Sequence, residues 1–231
     1  MVAMPYYVSP EQLMKDRADY ARKGIARGRS VVAVAYDAGV LFVAENPSSS
    51  LRKVSEIYDR IAFAAVGKYN EFEQLRVAGI RVADVRGYQY AREDVTGRSL
   101  ANAYATALGT AFTEGSKPYE VELLVAEVSD SEVELFHILY DGSITDEEGF
   151  VAIGGDADRV NARLSELHQP GSDLATALRW ARTALSDGDG LDADGLDAPR
   201  LEVAVLDRGR ARRKFHRLSD EAVADALESG T

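Results

Sequence analysis

Cysteine is absent from the 231 residues of the sequence. Its absence excludes thiol nucleophiles, disulfide frameworks and cysteine-ligated metal sites, and it is compatible with a reducing cytosol. Long hydrophobic runs are also lacking, since no stretch approaches the roughly 18 apolar residues of a membrane span, and the first residues show no signal-peptide pattern. We therefore expect a cytoplasmic protein with no membrane partner.

Positive charge is scarce as well. The 27 Lys and Arg residues are outnumbered by 38 Asp and Glu, which gives a formal net charge of -11. This charge repels a phosphate backbone, so nucleic acid is not an expected partner. The histidines are scattered without ligand spacing, Gly67-Lys68 lacks the rest of a phosphate loop, and the aspartate-rich segment 187–199 misses the calcium-loop register. We expect no metal and no other cofactor.

What the sequence does contain is enough apolar material for one core. Its hydrophobic fraction is 46% and its charged fraction 28%, values that are typical of globular proteins. We expect a single domain over residues 1–231, in which residues 187–199 form a flexible acidic loop.

The first helix signal stands near the start of the chain. Ser9 is a cap residue, Pro10 occupies the first helical position, and Gln12 is placed to bond back to the cap. A helix is predicted over residues 9–27. Its apolar stripe is thin, which suits an interface edge better than a core.

Apolar strand patterns and helical periodicities fill the rest of the chain. Residues 31–36 and 40–44 are apolar on both faces, which predicts a hairpin covered on both sides. Further strands are predicted at 61–66, 121–128, 133–140, 150–153, 201–206 and 213–218, and helices at 70–90, 99–112, 158–167, 172–186 and from Ser219 onward. Because consecutive strands outnumber strand–helix alternations, we expect an α+β fold, a four-layer α-β-β-α sandwich with an extra N-terminal helix.

Several segments together resemble the proteasome α-subunit family, especially its actinobacterial type. They are Tyr20-Ala-Arg22, the run from Lys23 to Tyr36, the hairpin end Phe42 to Asn46, Ala152-Ile-Gly-Gly155, and residues 97–104 and 117–123. The resemblance covers nearly the whole chain and implies the N-terminal-nucleophile hydrolase fold. It also implies a seven-membered ring of α subunits, a β-type protease ring as partner, and an ATPase ring activator in the degradation of tagged proteins.

The resemblance further implies that this subunit is not catalytic. Active subunits of that fold begin with a threonine whose free amine is the base for its own hydroxyl. The matching position here is Arg29, while the assisting carboxylate and lysine fall near Glu45 and Lys53. The alternative is a hydrolase in which cleavage after Arg29 frees Ser30 as the nucleophile.

Binding sites follow from the same resemblance. Activator tails end in a hydrophobic residue, tyrosine and a last residue whose carboxylate would meet Lys53, with Gly28 and Gly67 as backbone walls. Tyr20 and Arg22 would lie at the ring interface. The gate would consist of the chain's first eight residues, Met1, Val2, Ala3, Met4, Pro5, Tyr6, Tyr7 and Val8.

A basic cluster at the end of the first helix allows two interpretations. Its members are Arg22, Lys23, Arg27 and Arg29. They could present a positive rim to an acidic activator, or they could be ordinary charges at a helix C-terminus. The sequence favours neither.

Overall fold

A computed structural model of the chain describes residues 9–48, 50–186 and 201–228. The predicted gate, residues 1–8, and the predicted acidic loop, residues 187–199, lie outside the described residues. Within the described ranges no helix is both long and apolar enough to cross a membrane.

Helices and strands follow the order that the sequence pattern predicts, with two strands and one short 3-10 helix added. The helices are α1 (Pro10–Ile25), α2 (Tyr69–Gln89), α3 (Gly97–Glu114), α4 (Ala157–Leu167), α5 (Leu174–Ser186) and α6 (Asp220–Glu228), and the 3-10 helix is Arg92–Asp94. The strands are β1 (Val31–Tyr36), β2 (Gly39–Glu45), β3 (Val54–Tyr58), β4 (Ile61–Gly67), β5 (Val121–Val128), β6 (Val133–Ile138), β7 (Ile144–Glu147), β8 (Phe150–Ile153), β9 (Leu201–Asp207) and β10 (Phe215–Arg217).

The strands form two antiparallel sheets of five strands each. One has the order β10-β9-β2-β1-β8 and the other the order β3-β4-β5-β6-β7. One face of each sheet packs in a shared core between them. The outer face of the first sheet is covered by α4, α5 and α6, and that of the second by α2 and α3. The four-layer sandwich is therefore confirmed.

The period-two geometry of a strand explains why the central hairpin is apolar on both faces. In β1, Val31 and Ala33 belong to the core between the sheets, whereas Val32 and Val34 pack under the helices. All seven residues of β2 are buried. Each fully buried aliphatic side chain contributes about 1.5–3 kcal/mol relative to exposure, so this hairpin is the anchor of the first sheet.

The two strands that the sequence pattern missed, β3 and β7, are the edges of the second sheet. Only two residues of β3 are buried, and none of β7 is. As edge strands, each has a neighbouring strand on one side only. A register shift between Glu56 and Tyr58 further disturbs the alternation in β3. Neither strand therefore carries the apolar pattern on which the prediction depended.

The first helix is slightly shorter than the predicted 9–27. It runs over Pro10–Ile25, and the amide of Gln12 donates to the Ser9 hydroxyl at 3.2 Å, as a cap should. The Gln12 side chain, however, donates to Asp16 Oδ1 at 2.7 Å rather than bonding back to the cap, because one helical turn brings that carboxylate within reach. Only one half of the predicted reciprocal cap forms.

Candidate functional site

The predicted site residues converge where α1 ends and β1 begins. The ammonium of Lys53 donates to the backbone carbonyl of Arg29, with an Nζ–O distance of 2.6 Å. The carbonyl of Lys53 in turn accepts from the amide of Ala65, two residues before Gly67. Gly28 precedes Arg29 directly. The three residues predicted to contact an activator tail therefore lie in one region, although Gly28 precedes β1, Lys53 lies between β2 and β3, and Gly67 ends β4.

Gly28 and Gly67 meet at this point because neither has a side chain. A Cβ atom on Gly28 would lie 2.5 Å from Cγ1 of Val66 and 3.1 Å from the amide nitrogen of Gly67. Gly67 has a φ of +111°, and a Cβ atom there would lie 2.0 Å from the Glu120 carbonyl oxygen. The contacts at 2.5 and 2.0 Å are closer than real Cβ atoms allow, so a side chain at Gly28 would displace Val66, and one at Gly67 would overlap the Glu120 carbonyl.

Arg29, the residue that the resemblance matches to a nucleophile, forms an ion pair. The guanidinium of Arg29 contacts the Glu45 carboxylate, whose side chain is almost completely buried. The following residue, Ser30, is itself buried, and its nitrogen is part of the peptide bond whose carbonyl accepts from Lys53. Arg29, Glu45 and Lys53, which the resemblance matches to positions of an active constellation, thus lie close together, and none of the three side chains carries a hydroxyl.

The ammonium of Lys53 is easier to deprotonate than a solvated lysine. The pKa of Lys53 is lowered from its ordinary 10.5 to about 8, chiefly by burial and also by the nearby Arg29 guanidinium, while the Glu202 and Glu45 carboxylates oppose the shift. A carboxylate ligand placed against this ammonium would raise its pKa again. Binding of such a ligand would therefore depend on pH above about pH 8.

The sequence pattern gave no role to Glu202, which the structure places at the centre of the site. This carboxylate lies in β9, is 4% exposed and is surrounded by hydrogen-bond donors. They are the Lys53 amide at 2.9 Å, the Val54 amide at 3.2 Å, Asn46 Nδ2 at 2.7 Å and an Arg217 guanidinium nitrogen at 2.6 Å. The available signal was a single glutamate within the apolar run of residues 201–206, since a buried charge needs dedicated partners.

A shallow cleft opens beside Gly28 on the side of α4 and α5. Its volume is about 300 Å³. Its lining consists of Ala26, Arg27, Gly28, Arg29, Ser30, Glu45, Gly155, Asp156, Arg159 and Leu185. Neither Lys53 nor Gly67 belongs to that lining.

The helix α1 is fastened to the end of the sandwich beside this site. Ala21 and Ile25 are buried against Tyr140. Arg17 donates to the carbonyls of Phe112 and Gly115, at 2.8 and 2.7 Å, at the C-terminal end of α3, where exposed carbonyls and the helix dipole favour a cation. The helix is thus an integrated part of the domain rather than a loosely attached extension.

The residues predicted at the ring interface lie on the outer side of α1. Tyr20 is 47% exposed, and the Lys117 ammonium lies 5.4 Å from the centre of its ring. The guanidinium of Arg22 lies 5.7 Å from the ring centre of Tyr140 and 3.5 Å from the carboxylate of Asp19. Both side chains remain accessible to another chain, although Arg22 already has partners within its own.

Acidic and histidine side chains form no metal site within residues 9–48, 50–186 and 201–228, where no group of three candidate ligands occurs. His137 is the histidine with the strongest polar contacts, at 2.6 Å from the Glu122 carboxylate and 3.6 Å from that of Glu147. Glu122 also accepts from the Gly154 amide at 3.0 Å. We interpret this group as a structural link between the two sheets.

Comparison with known proteins agrees with the geometry. The model of a family described as "Proteasome subunit" matches residues 25–206. Proteins named "Proteasome subunit alpha" are similar over nearly their whole length. The one from Kineococcus radiotolerans is 59% identical over 233 residues, covering 98% of both chains. That from Xylanimonas cellulosilytica is 60% identical, covering 96% of this chain and 95% of its own, and that from Thermomonospora curvata is 57% identical, covering 99% and 100%.

Proposed function

The chain belongs to the proteasome subunit family, in its actinobacterial α type, and from that premise we propose that it is a non-catalytic subunit of a proteasome core. In this proposal seven copies form an outer ring in the cytoplasm, bind a ring of β-type protease subunits, and control the entry of tagged substrates. An ATPase ring activator docks on the outer face through its C-terminal tails. The observation that carries the proposal is the arginine–glutamate ion pair in front of β1.

The chemistry at that position supports a subunit without catalytic residues. An N-terminal nucleophile needs a hydroxyl and a free amine on the same residue. Arg29 has no hydroxyl, and its guanidinium is held by Glu45. The nitrogen of Ser30 is an amide, which is not basic, and α1 is packed onto the domain ahead of it. Ser30 would become a nucleophile only if the first 29 residues were removed, together with their packing contacts.

The surroundings of Lys53 support its role in tail docking. A lysine ammonium has three donors, and the Arg29 carbonyl takes one of them, which leaves two for a tail carboxylate. In the proposal, the rest of the surface that holds the tail comes from a neighbouring α subunit.

The exposed hydrophobic side chains of α2 support contacts within an assembled core. Val82, Val85 and Tyr88 are 43%, 54% and 92% exposed, and Tyr90 just beyond the helix is 73% exposed. Val82, Val85 and Tyr90 line one depression together with Arg81, Arg86 and Gln89. Exposed apolar side chains grouped in this way are typical of a protein interface. Because α2 lies in the layer that covers the second sheet, we assign this surface to the contact with the β-type ring.

Removal of the proposed gate tests the function most directly. Cores are assembled from a β-type subunit and either the full-length chain or one that lacks residues 1–8, and hydrolysis of a short fluorogenic peptide is measured. We expect the truncated chain to raise the rate several-fold, while the chain without β subunits is inactive.

The rival hydrolase makes the opposite prediction. It requires a mature chain that begins at Ser30, peptide hydrolysis by this chain alone, and loss of that hydrolysis in Ser30→Ala. Intact-mass measurement of the purified chain supplies an independent readout. If the mass corresponds to a chain that starts near residue 1, and activity occurs only in the mixed complex, the hydrolase hypothesis is rejected.

A further inference from the structure

We infer that Glu202 is a positioning residue for Lys53, holding the connection between β2 and β3 so that the lysine is presented to an activator tail. This inference rests on the proposed function of Lys53. It assigns a role to a residue that never touches the tail, because the carboxylate of Glu202 is buried and faces inward.

The geometry that carries the inference is a four-point anchor. One carboxylate oxygen of Glu202 accepts from the Lys53 amide and from Asn46 Nδ2. The other accepts from the Val54 amide and from Arg217. Glu202 therefore holds both ends of the connection between β2 and β3, at Asn46 after β2 and at Lys53 before β3. The Asn46 side chain also donates to the Leu51 carbonyl at 2.7 Å, which ties in the residue between them.

Arg217 makes the anchor rigid. Its guanidinium donates to Glu202 and also to the Val54 carbonyl, so β9, β10 and the start of β3 are joined at one point. With the main chain of Lys53 fixed on this side, its side chain spans to the Arg29 carbonyl on the other. A shift of the connection by one ångström would withdraw the ammonium from a ligand that a neighbouring chain holds in place.

The charge of Glu202 supplies a second effect at the same lysine. The charged groups around Lys53 are Glu202 in β9, Glu45 in β2, Arg29 before β1 and Arg217 in β10. Glu202 is the largest of the influences that oppose the lowering of the Lys53 pKa. Loss of its negative charge therefore lowers that pKa further and deprotonates the ammonium at a lower pH. A purely structural role would not have this consequence.

The experiment measures binding of a fluorescent peptide ending in Leu-Tyr-Ala to the assembled core, with the amidated peptide as blank, between pH 6.5 and 9.5. At pH 6.5, where Lys53 is protonated, we expect Glu202→Gln to weaken binding about tenfold, because hydrogen bonds to a charged group are lost. We also expect its affinity to begin falling at a lower pH than in the unmodified core. Glu202→Asp keeps the charge and should retain the original pH dependence with intermediate affinity.

The matched control is Glu127→Gln. Glu127 is also buried, and its carboxylate accepts from the Arg60 guanidinium and from the Gly97 amide. It lies near the C-terminal end of β5, whereas Gly67 pairs with the first residue of that strand. This variant should lose comparable stability and bind the peptide with unchanged affinity and pH dependence. If Glu202→Gln assembles and binds like the unmodified core at every pH while Lys53→Ala abolishes binding, the inference is wrong and the docking function stands. If Lys53→Ala has no effect, the docking function itself is wrong.

Discussion

The Lys53 ammonium and the Arg29 carbonyl are joined by a hydrogen bond of 2.6 Å immediately before β1. Arg29 itself is paired with Glu45. The three side chains that the resemblance matched to a catalytic constellation are therefore held near one another by contacts within the chain. The Lys53 ammonium in this hydrogen bond has a lowered pKa, from which a prediction about pH follows.

Tail binding should depend on pH through Lys53. Only the protonated lysine attracts a carboxylate, and the pKa of Lys53 in the free chain is about 8. Below pH 8 the affinity for a tail peptide should be constant. Above pH 8 it should fall by about tenfold per pH unit until the raised pKa of the bound state is passed. Fluorescence anisotropy measures this, and Lys53→Arg, which stays charged, should show weaker binding without the decline. A flat profile for the unmodified core would exclude Lys53 as the carboxylate ligand.

Two glycine-to-alanine substitutions at positive φ should lower the free energy of unfolding by different amounts. Gly67→Ala should lower the free energy of unfolding by about 3 kcal/mol or more, because left-handed strain of about 1–3 kcal/mol adds to the overlap with the Glu120 carbonyl. Gly171 also has a positive φ, +79°, but a Cβ atom there would meet nothing within 4 Å. Gly171→Ala should therefore cost only the strain, about 1 kcal/mol. Urea denaturation of both variants checks the difference, and equal costs would contradict the close approach at Gly67.

Loss of the Arg17 side chain should loosen α1. Arg17→Ala leaves the carbonyls of Phe112 and Gly115 without their cation, and the expected loss of stability is about 1.5–3 kcal/mol. Because the proposed gate precedes α1, the assembled core should also hydrolyse small peptides faster at rest. Lys15→Ala, at an exposed position on the same helix, is the control and should change neither quantity. Unchanged stability in Arg17→Ala would mean that α1 is held by its apolar contacts alone.

A charge on the exposed surface of α2 should block assembly without unfolding the chain. Tyr88 is 92% exposed, so Tyr88→Glu should leave the thermal midpoint of the isolated chain within about a degree of its original value. In a mixture with β-type subunits, sedimentation should show loss of the complete core. Ser165→Glu, at an exposed position of α4 in the opposite layer, should assemble normally. Normal assembly of Tyr88→Glu would remove this surface from the proposed interface.

Much of the fold could be predicted because the central strands are apolar on both faces. Residues 31–36 were predicted as a strand and form β1 with the same bounds. The edge strands β3 and β7 could not be found in this way, since β3 has only two buried residues, three positions apart, and β7 has none, which leaves neither a continuous apolar run nor a strict alternation. The order of strands within each sheet also followed only from the structure, because pairing between distant segments leaves no local pattern.

Individual residues of the candidate site could be predicted, but the hydrogen bonds that hold them could not. Lys53, Gly28 and Gly67 came from the resemblance to a family, and the structure places them together. Their support by Glu202 was not predicted, because a single glutamate in β9 gives no indication of which distant amides it will accept from. Whether these residues bind an activator tail remains a prediction for the experiments above.

The anchor at Glu202 also constrains when the chain becomes competent during its synthesis. Glu202 lies 149 residues after Lys53. A ribosome adding about 5–20 residues per second completes β9 many seconds after Lys53 has emerged. Until then, the lysine has no partner for its main-chain amide. If Lys53 docks an activator tail as proposed, an unfinished chain therefore cannot present the docking site, and only subunits synthesised through β9 and β10 are able to recruit an activator.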